Sequence, residues 1–239
     1  MKNLICSWLL LFGVSAGAQS GAFLNSFGEV NLIIPDGNLN GIQSSQTVVG
    51  EPGTVSDVNV SLNIAGGFNG DYYAYLYHNN TIAVLLNRAG RSSTSAFGYA
   101  DGGFGADTAL NPFTFDDQAG RDVHFYRAGA FALNPSGQLT GQWQPDGRII
   151  DPIFSPGSAF DTAPRLDRLS GFNGMDPNGL WLLFVADVSS GGQGTLVNWG
   201  LQVTTVPEPS TATILLAFLG LAALKGARRT SLQRQKNHC

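Results

Sequence analysis

Val58-Asn59-Val60-Ser61-Leu62-Asn63-Ile64 places an apolar side chain at every second position, with Asn or Ser between them. Side chains alternate across a β-strand, so the segment has one buried and one wet face. The next segment reads the same way. Tyr73, Tyr75 and Tyr77 share one face of a strand, His78-Asn79-Asn80 supplies turn residues, and Ile82 to Leu86 returns, which predicts a hairpin with a solvated His78 at its tip. Farther along, Leu180-Trp181-Leu182-Leu183-Phe184-Val185 is apolar on both faces, as a central strand between two layers would be. Gly191-Gly192-Gln193-Gly194 then turns the chain into a last strand in which Val197, Trp199, Leu201 and Val203 are expected to face one side. No stretch between these strands sustains a 3.6-residue apolar period, so the pattern predicts an all-β sandwich. Residues 91 to 112, rich in Ser, Gly and Ala, and residues 151 to 168, which carry Pro152, Pro156 and Pro164, read as long loops.

The segments at the two ends have a different character. Lys2, the apolar run Leu4 to Val14 and Ala16-Gly17-Ala18 form the three parts of a secretory signal peptide over residues 1–18, with cleavage after the small residues Ala16 and Ala18. At the other end, Pro207-Glu208-Pro209 cannot continue a strand, because proline lacks an N–H donor and restricts the residue before it. An apolar helix-forming run, residues 211–224, follows, and then Lys225, Arg228 and Arg229 in a basic segment, residues 225–239. At 1.5 Å per residue the run spans about 21 Å, short of a hydrocarbon core of about 30 Å. The basic flank predicts that this tail stays on the cytoplasmic side while the domain before it is exported. Pro-Glu-Pro, a short apolar helix and arginines in that order resemble the PEP-CTERM sorting signal. That resemblance implies reading of Pro207, Glu208, Pro209, Arg228 and Arg229 by an exosortase-type enzyme of a Gram-negative bacterium that makes exopolysaccharide. It also implies at least transient anchoring through 211–224, with the cell surface or extracellular matrix as destination. The extension from Thr230 to Cys239 departs from the usual signal, which ends soon after the arginines.

Both cysteines, Cys6 and Cys239, fall in these end segments, so the exported part has no internal disulfide and must rely on packing. Residues 19 to 206 are enough for one domain with a sizeable core. They hold seven arginines and no lysine against fourteen aspartates and two glutamates, a net charge of −9. Such a surface repels phosphate backbones and excludes nucleic-acid binding.

After a lead-in over residues 19–29, a series of motifs runs in order through residues 30–204. These are Ile34-Pro35-Asp36-Gly37-Asn38, Gly70-Asp71, Leu85-Leu86-Asn87-Arg88-Ala89-Gly90, Thr114-Phe115-Asp116-Asp117, Trp143-Gln144-Pro145-Asp146-Gly147, Asp176-Pro177-Asn178-Gly179-Leu180-Trp181 and Gly194-Thr195-Leu196-Val197-Asn198-Trp199. The series resembles the P domain, or Homo B domain, that follows the subtilisin-like catalytic domain in proprotein convertases. The resemblance implies a jelly-roll-type β-sandwich with galactose-binding-like architecture, joined to the tail by a linker over residues 205–210. The subtilisin-like domain that supplies peptidase activity in that family has no counterpart here, so the resemblance implies fold without catalysis.

The residues agree with a chain that is not an enzyme. A hydrolytic triad needs a nucleophile, a histidine and a carboxylate in one place, and residues 19 to 206 offer only His78 and His124, with no Gly-x-Ser-x-Gly beside either. No His/Cys cluster has zinc spacing, and no cofactor is required. Calcium is the one metal the pattern suits. Asp116 and Asp117 lie on a short loop, and Asp71 and Asp187 flank predicted strands where loops could converge, which makes Asp71, Asp116, Asp117 and Asp187 candidate ligands. Turn capping by the same aspartates is the competing reading. Asp36-Asn38-Asn40-Gly41 matches half an EF-hand loop, but Thr47 stands where the bidentate glutamate belongs. Trp181 and Trp199 are expected in the core. The expected role is structural or adhesive, in exopolysaccharide or biofilm. Two alternatives are a carbohydrate-binding module contacting exopolysaccharide through the aromatic loop from Phe97 to Phe113, and an accessory subunit of a separate secreted protease.

Overall fold

The computed structural model describes residues 21–26, 29–108 and 111–207. The signal-peptide residues Ala16 and Ala18, the sorting residues Glu208, Pro209, Arg228 and Arg229, and the segment 211–224 lie outside them. In the described chain eleven strands form two sheets. They are β1 (Gly21–Ser26), β2 (Leu32–Ile34), β3 (Asn38–Val48), β4 (Thr54–Gly66), β5 (Tyr72–His78), β6 (Thr81–Asn87), β7 (Gly103–Phe104), β8 (Thr114–Phe115), β9 (Gln142–Trp143), β10 (Gly179–Asp187) and β11 (Gly194–Val206). One sheet runs β1-β11-β4-β8-β9, with β2 also on β11 and β7 on β4, and the other runs β3-β10-β5-β6. Inward side chains of both sheets join in one apolar core, so the all-β sandwich expectation holds at the level of architecture.

The alternation around Val58 is the centre of the first sheet. Val58, Val60 and Leu62 are buried, and each faces an inward residue of β11, Val203, Leu201 and Trp199 in that order. Val55 also points inward, which strict alternation forbids. The register slips opposite Thr204 and Thr205, and the extra residue Ser56 donates its hydroxyl to Thr204 O at 3.0 Å. A second slip at Val197 corrects the expected pattern of β11. Leu196 enters the core, and Val197 sits half-buried off the face that carries Trp199, Leu201 and Val203. A one-residue insertion moves side chains to the opposite face, and nothing in the residue types announces it.

In the second sheet, β10 pairs with both β3 and β5, which is the central position its two apolar faces predicted. Asn79 and Asn80 close the β5–β6 hairpin with φ of 44° and 62°, the two left-handed residues a tight hairpin turn demands. His78, expected in solvent, is fully buried. Its ring stacks on Trp181 at 3.8 Å and an angle of 2°, and its nitrogens lie 2.9 Å from Leu180 O and 2.8 Å from Asp176 O. The histidine belongs to the last strand position and not to the turn, so alternation carries it inward. β6 is an edge strand, and its free side is covered by main-chain bonds from Asp146 to Leu85, from Gly147 to Val84, and from Val84 to Asp167.

The segment expected as a loop over 151–168 contains a short helix, α1 (Gly157–Thr162). Six residues are too few to print a helical period on the sequence. The 91–112 segment contributes only the two-residue β7 among its described residues.

Candidate functional site

Three turns meet at one end of the sandwich. The turn before β3 carries Asp36, the turn before β5 carries Asp71, and β10 ends on Asp187. The ladder brings them together, since Asp187 pairs with Tyr72 on one side and Asn38 on the other. Main-chain and side-chain bonds lace the turns. Val188 N donates to Asp71 O at 2.8 Å, Gly191 N to Asp36 Oδ1 at 3.0 Å, and Ser189 N to Asp187 Oδ1 at 3.2 Å.

The charge at this end is poorly compensated. Arg88 faces Asp71 with Nη2 at 3.5 Å from Oδ1, while its Nε donates to Gly70 O at 2.9 Å. Arg88 holds a left-handed φ of 54°, a costly conformation for a non-glycine residue that aims the guanidinium into this cluster. Asp187 is fully buried, and its Oδ2 has no hydrogen-bond partner. Burial pushes its carboxyl up to about 6, against the pull of the Ser189 and Gly37 N–H groups and with a further push from Asp71 and Asp36. Burial also raises Asp71, and Arg88 opposes it. Beside them a pocket of about 250 Å³ is lined by Asp71, Ser189, Ser190, Phe68, Phe97 and Tyr99, among others.

The four aspartates singled out as calcium ligands do not form one group. Asp71 and Asp187 come together with Asp36. Asp116 instead accepts from Gln118 N at 2.7 Å, and Asp117 accepts from Ser170 N at 2.8 Å and Leu169 N at 3.3 Å, so both cap turns elsewhere. Among the described residues, no three His, Cys, Asp or Glu side chains are grouped to share one ion.

A second polar cluster was not anticipated. His124 is fully buried with Nδ1 at 2.7 Å from Asp146 Oδ2 and Nε2 at 2.8 Å from Arg91 O. Arg148 bonds Asp146 at 3.1 Å and Asp122 at 2.9 Å, and Arg165 lies 3.4 Å from Asp122. Burial alone would raise the Asp146 carboxyl, but His124 and Arg148 outweigh it and hold it below the usual range. His124 thus has a carboxylate partner but no nucleophile on its other nitrogen, which is bonded to a main-chain carbonyl. The cluster ties the loops around 91, 122, 146 and 165 to the sandwich. Asp146 stands in the sequence only as part of the motif Trp143-Gln144-Pro145-Asp146-Gly147; its partner Arg148 is two residues away, but its partner His124 comes from a separate loop.

The aromatic contact surface expected between Phe97 and Phe113 is mostly interior. Phe104 and Phe113 are buried, and Phe97 is the aromatic there that stands clear of the surface, 75% exposed. The outer face of the second sheet carries a different aromatic group. Phe184 stacks on Tyr75 at 4.8 Å, with Tyr73 edge-on to both, and all three are partly exposed. Exposed Gln43 and Ser45 lie across from Phe184 and Leu182 on the same face.

Comparison with known proteins bears most directly on the tail. Residues 205–229 match the PEP-CTERM protein-sorting motif. The chain therefore carries that sorting signal, as its proline, apolar and arginine segments predicted. No curated protein matches the chain. Solved structures are also similar, two of them from one organism. One is the serine protease of Aeromonas sobria in complex with its chaperone, at 13% identity and a TM-score of 0.39, covering 80% of this chain and 27% of that one. The other is the same organism's serine protease alone, at 15% identity and a TM-score of 0.39, covering 78% of this chain and 27% of that one. The chain spans little more than a quarter of the length of these proteins. No helix among the described residues is long and apolar enough to cross a membrane.

Proposed function

We propose that this is an exported, non-catalytic protein of the cell surface or extracellular matrix, a jelly-roll sandwich of P-domain type that an exosortase-type enzyme processes at Pro207-Glu208-Pro209. The observation that carries the reading is the sorting motif at 205–229 and its place in the fold. β11 ends at Val206, so a cut at the Pro-Glu-Pro sequence releases the whole sandwich without removing a strand. The non-catalytic part is supported by the two histidines of the described residues, both buried and both engaged by main-chain oxygens. Changing Pro207, Glu208 and Pro209 together to alanine should leave full-length precursor in the membrane fraction of producing cells. Release of a product with unchanged mature mass would refute the processing role.

A second reading, contact with exopolysaccharide, is favoured by the outer face of β5 and β10. Partly exposed rings beside amide and hydroxyl side chains suit a neutral sugar chain, whose C–H faces stack on aromatics while its hydroxyls find polar partners. In affinity electrophoresis through polysaccharide from the producing cells, the wild-type protein should be retarded. Tyr75→Ala should weaken binding by about 1 kcal/mol, roughly fivefold. Equal mobility of both proteins with and without polysaccharide would remove this reading.

A further inference from the structure

We propose that the groove between β9 and the segments around Asp107 and Phe131 binds a carboxylate-bearing sugar unit, with Arg121 as the residue that holds the carboxylate. The groove has a volume of about 460 Å³, and its lining includes Asp107, Asn111, Arg121, Phe131, Gln142 and Trp143. Small ligands occupy spaces of about 300–1,000 Å³. Main-chain bonds fix the walls. Thr140 N donates to Ala132 O at 3.1 Å, Gln144 N to Arg121 O at 2.7 Å, and Asp107 N to Asn111 O at 3.1 Å. Arg121 is held as firmly. Its guanidinium lies 4.5 Å from the centre of the buried Trp143 ring and donates from Nη2 to Ala130 O. A Cβ at position 129 would collide with Nη1, so Gly129 is what lets the side chain lie there.

Packing on Trp143 accounts for where Arg121 lies and not for its charge. Arg88, Arg127, Arg148 and Arg165 each face a carboxylate, whereas the exposed Arg121 has no ion-pair partner among the described residues. It stays unpaired in a part of the chain where acidic residues outnumber arginines, and it lines a groove. The N–H groups that a planar guanidinium has left match a carboxylate in bidentate geometry. The rest of the lining narrows the class. Asn111 and Gln142 are exposed amides that donate and accept, Phe131 offers a partly exposed ring, and the Asp107 carboxylate only accepts. Sugar hydroxyls suit all of these, since they bond the amides, donate to Asp107 and leave C–H faces for the ring. A phosphate or a run of aspartates has no hydroxyl for Asp107 and is repelled by it. The net charge of −9 disfavours a chain charged at every unit, so the ligand is a polysaccharide with carboxylates spaced among neutral sugars. This deepens the reading of contact with exopolysaccharide, on which it rests, at a site on the other sheet from Tyr75 and Phe184.

The test is calorimetric titration of the full-length chain in detergent with three probes. They are a tetrasaccharide of alternating glucuronate and N-acetylglucosamine, its carboxyl-reduced form, and penta-aspartate. The wild-type protein should bind the acidic tetrasaccharide about tenfold more tightly than the reduced one, and penta-aspartate more weakly than the acidic sugar. Arg121→Gln should bring the acidic form down to the affinity of the reduced form. Gln142→Ala should weaken both sugars alike and keep their ratio, and Tyr75→Ala should change neither. Arg121→Lys keeps the charge without the fork, so it should retain part of the preference, and it decides if Arg121→Gln does not fold. No binding by the wild type, equal affinity for the two sugars, survival of the preference in Arg121→Gln, or penta-aspartate binding as tightly as the acidic sugar overturns the proposal. Loss of tetrasaccharide binding in Tyr75→Ala overturns it too, and leaves the contact on the outer face of β5 and β10 standing by itself.

Discussion

Replacing Asp146 by alanine is expected to cost about 3–5 kcal/mol of folding stability, because it strands two groups at once in the interior. His124 loses its 2.7 Å partner and Arg148 its 3.1 Å partner, and none of the three side chains is more than marginally exposed. For a domain of this size that loss lowers Tm by roughly 10 °C. The effect also depends on pH. The folded carboxyl sits below its ordinary value of 3.8, so its contribution is fully present above that value and fades as acid protonates it. Urea titrations of both proteins from neutral pH to below pH 4 should show the gap closing at the acid end. A gap under about 1 kcal/mol at neutral pH would mean the cluster is solvated and not a structural tie.

The second large effect is expected at Trp181. This ring is fully buried, stacks on His78, meets Phe172 edge-on at 5.1 Å, and donates its indole N–H to Pro177 O at 2.9 Å. Trp181→Ala should cost about 3–5 kcal/mol through lost contact and the cavity left behind. Trp181→Phe keeps an aromatic face against His78 and gives up the indole bond, so it should lose less. Leu180→Ala is the control, since Leu180 lies on the outer face and is 47% exposed. Chemical denaturation that ranks Trp181→Ala no lower than Leu180→Ala would contradict the packing described here.

The turn in which Trp181 is anchored shows how far local patterns reach. Asp176-Pro177-Asn178-Gly179 is legible as a turn, and Asp176 Oδ1 accepts from Asn178 N at 2.9 Å as a turn aspartate should. What the pattern could not show is that His78 lies against this turn from the neighbouring strand. The same holds for the candidate site. Asp71 and Asp187 are legible as carboxylates flanking strands and Asp116 and Asp117 as a pair on a short loop, and residue type alone cannot separate the pair that converges from the pair that caps. Asp36 is legible in the motif Ile34-Pro35-Asp36-Gly37-Asn38 and as half of an EF-hand pattern, and neither places it beside Asp71 and Asp187. Arg88 stands in the sequence only within the motif Leu85-Leu86-Asn87-Arg88-Ala89-Gly90, and its role depends on a backbone conformation that an arginine rarely adopts.

Strand identity, the absence of long helices among the described residues and the sorting signal are properties of neighbouring residues, and all are readable from the order of side chains along the chain. Apolar spacing and proline placement act over a few residues, so the sequence displays them directly. The bulges at Ser56 and Val197, the buried His124–Asp146–Arg148 cluster and the meeting of Asp36, Asp71 and Asp187 were decided by tertiary structure. They depend on which strands pair and in what register. For the bulges and the three aspartates that choice sets distances between residues more than a hundred positions apart, and for the His124 cluster it brings separate loops together; a local period carries no record of either.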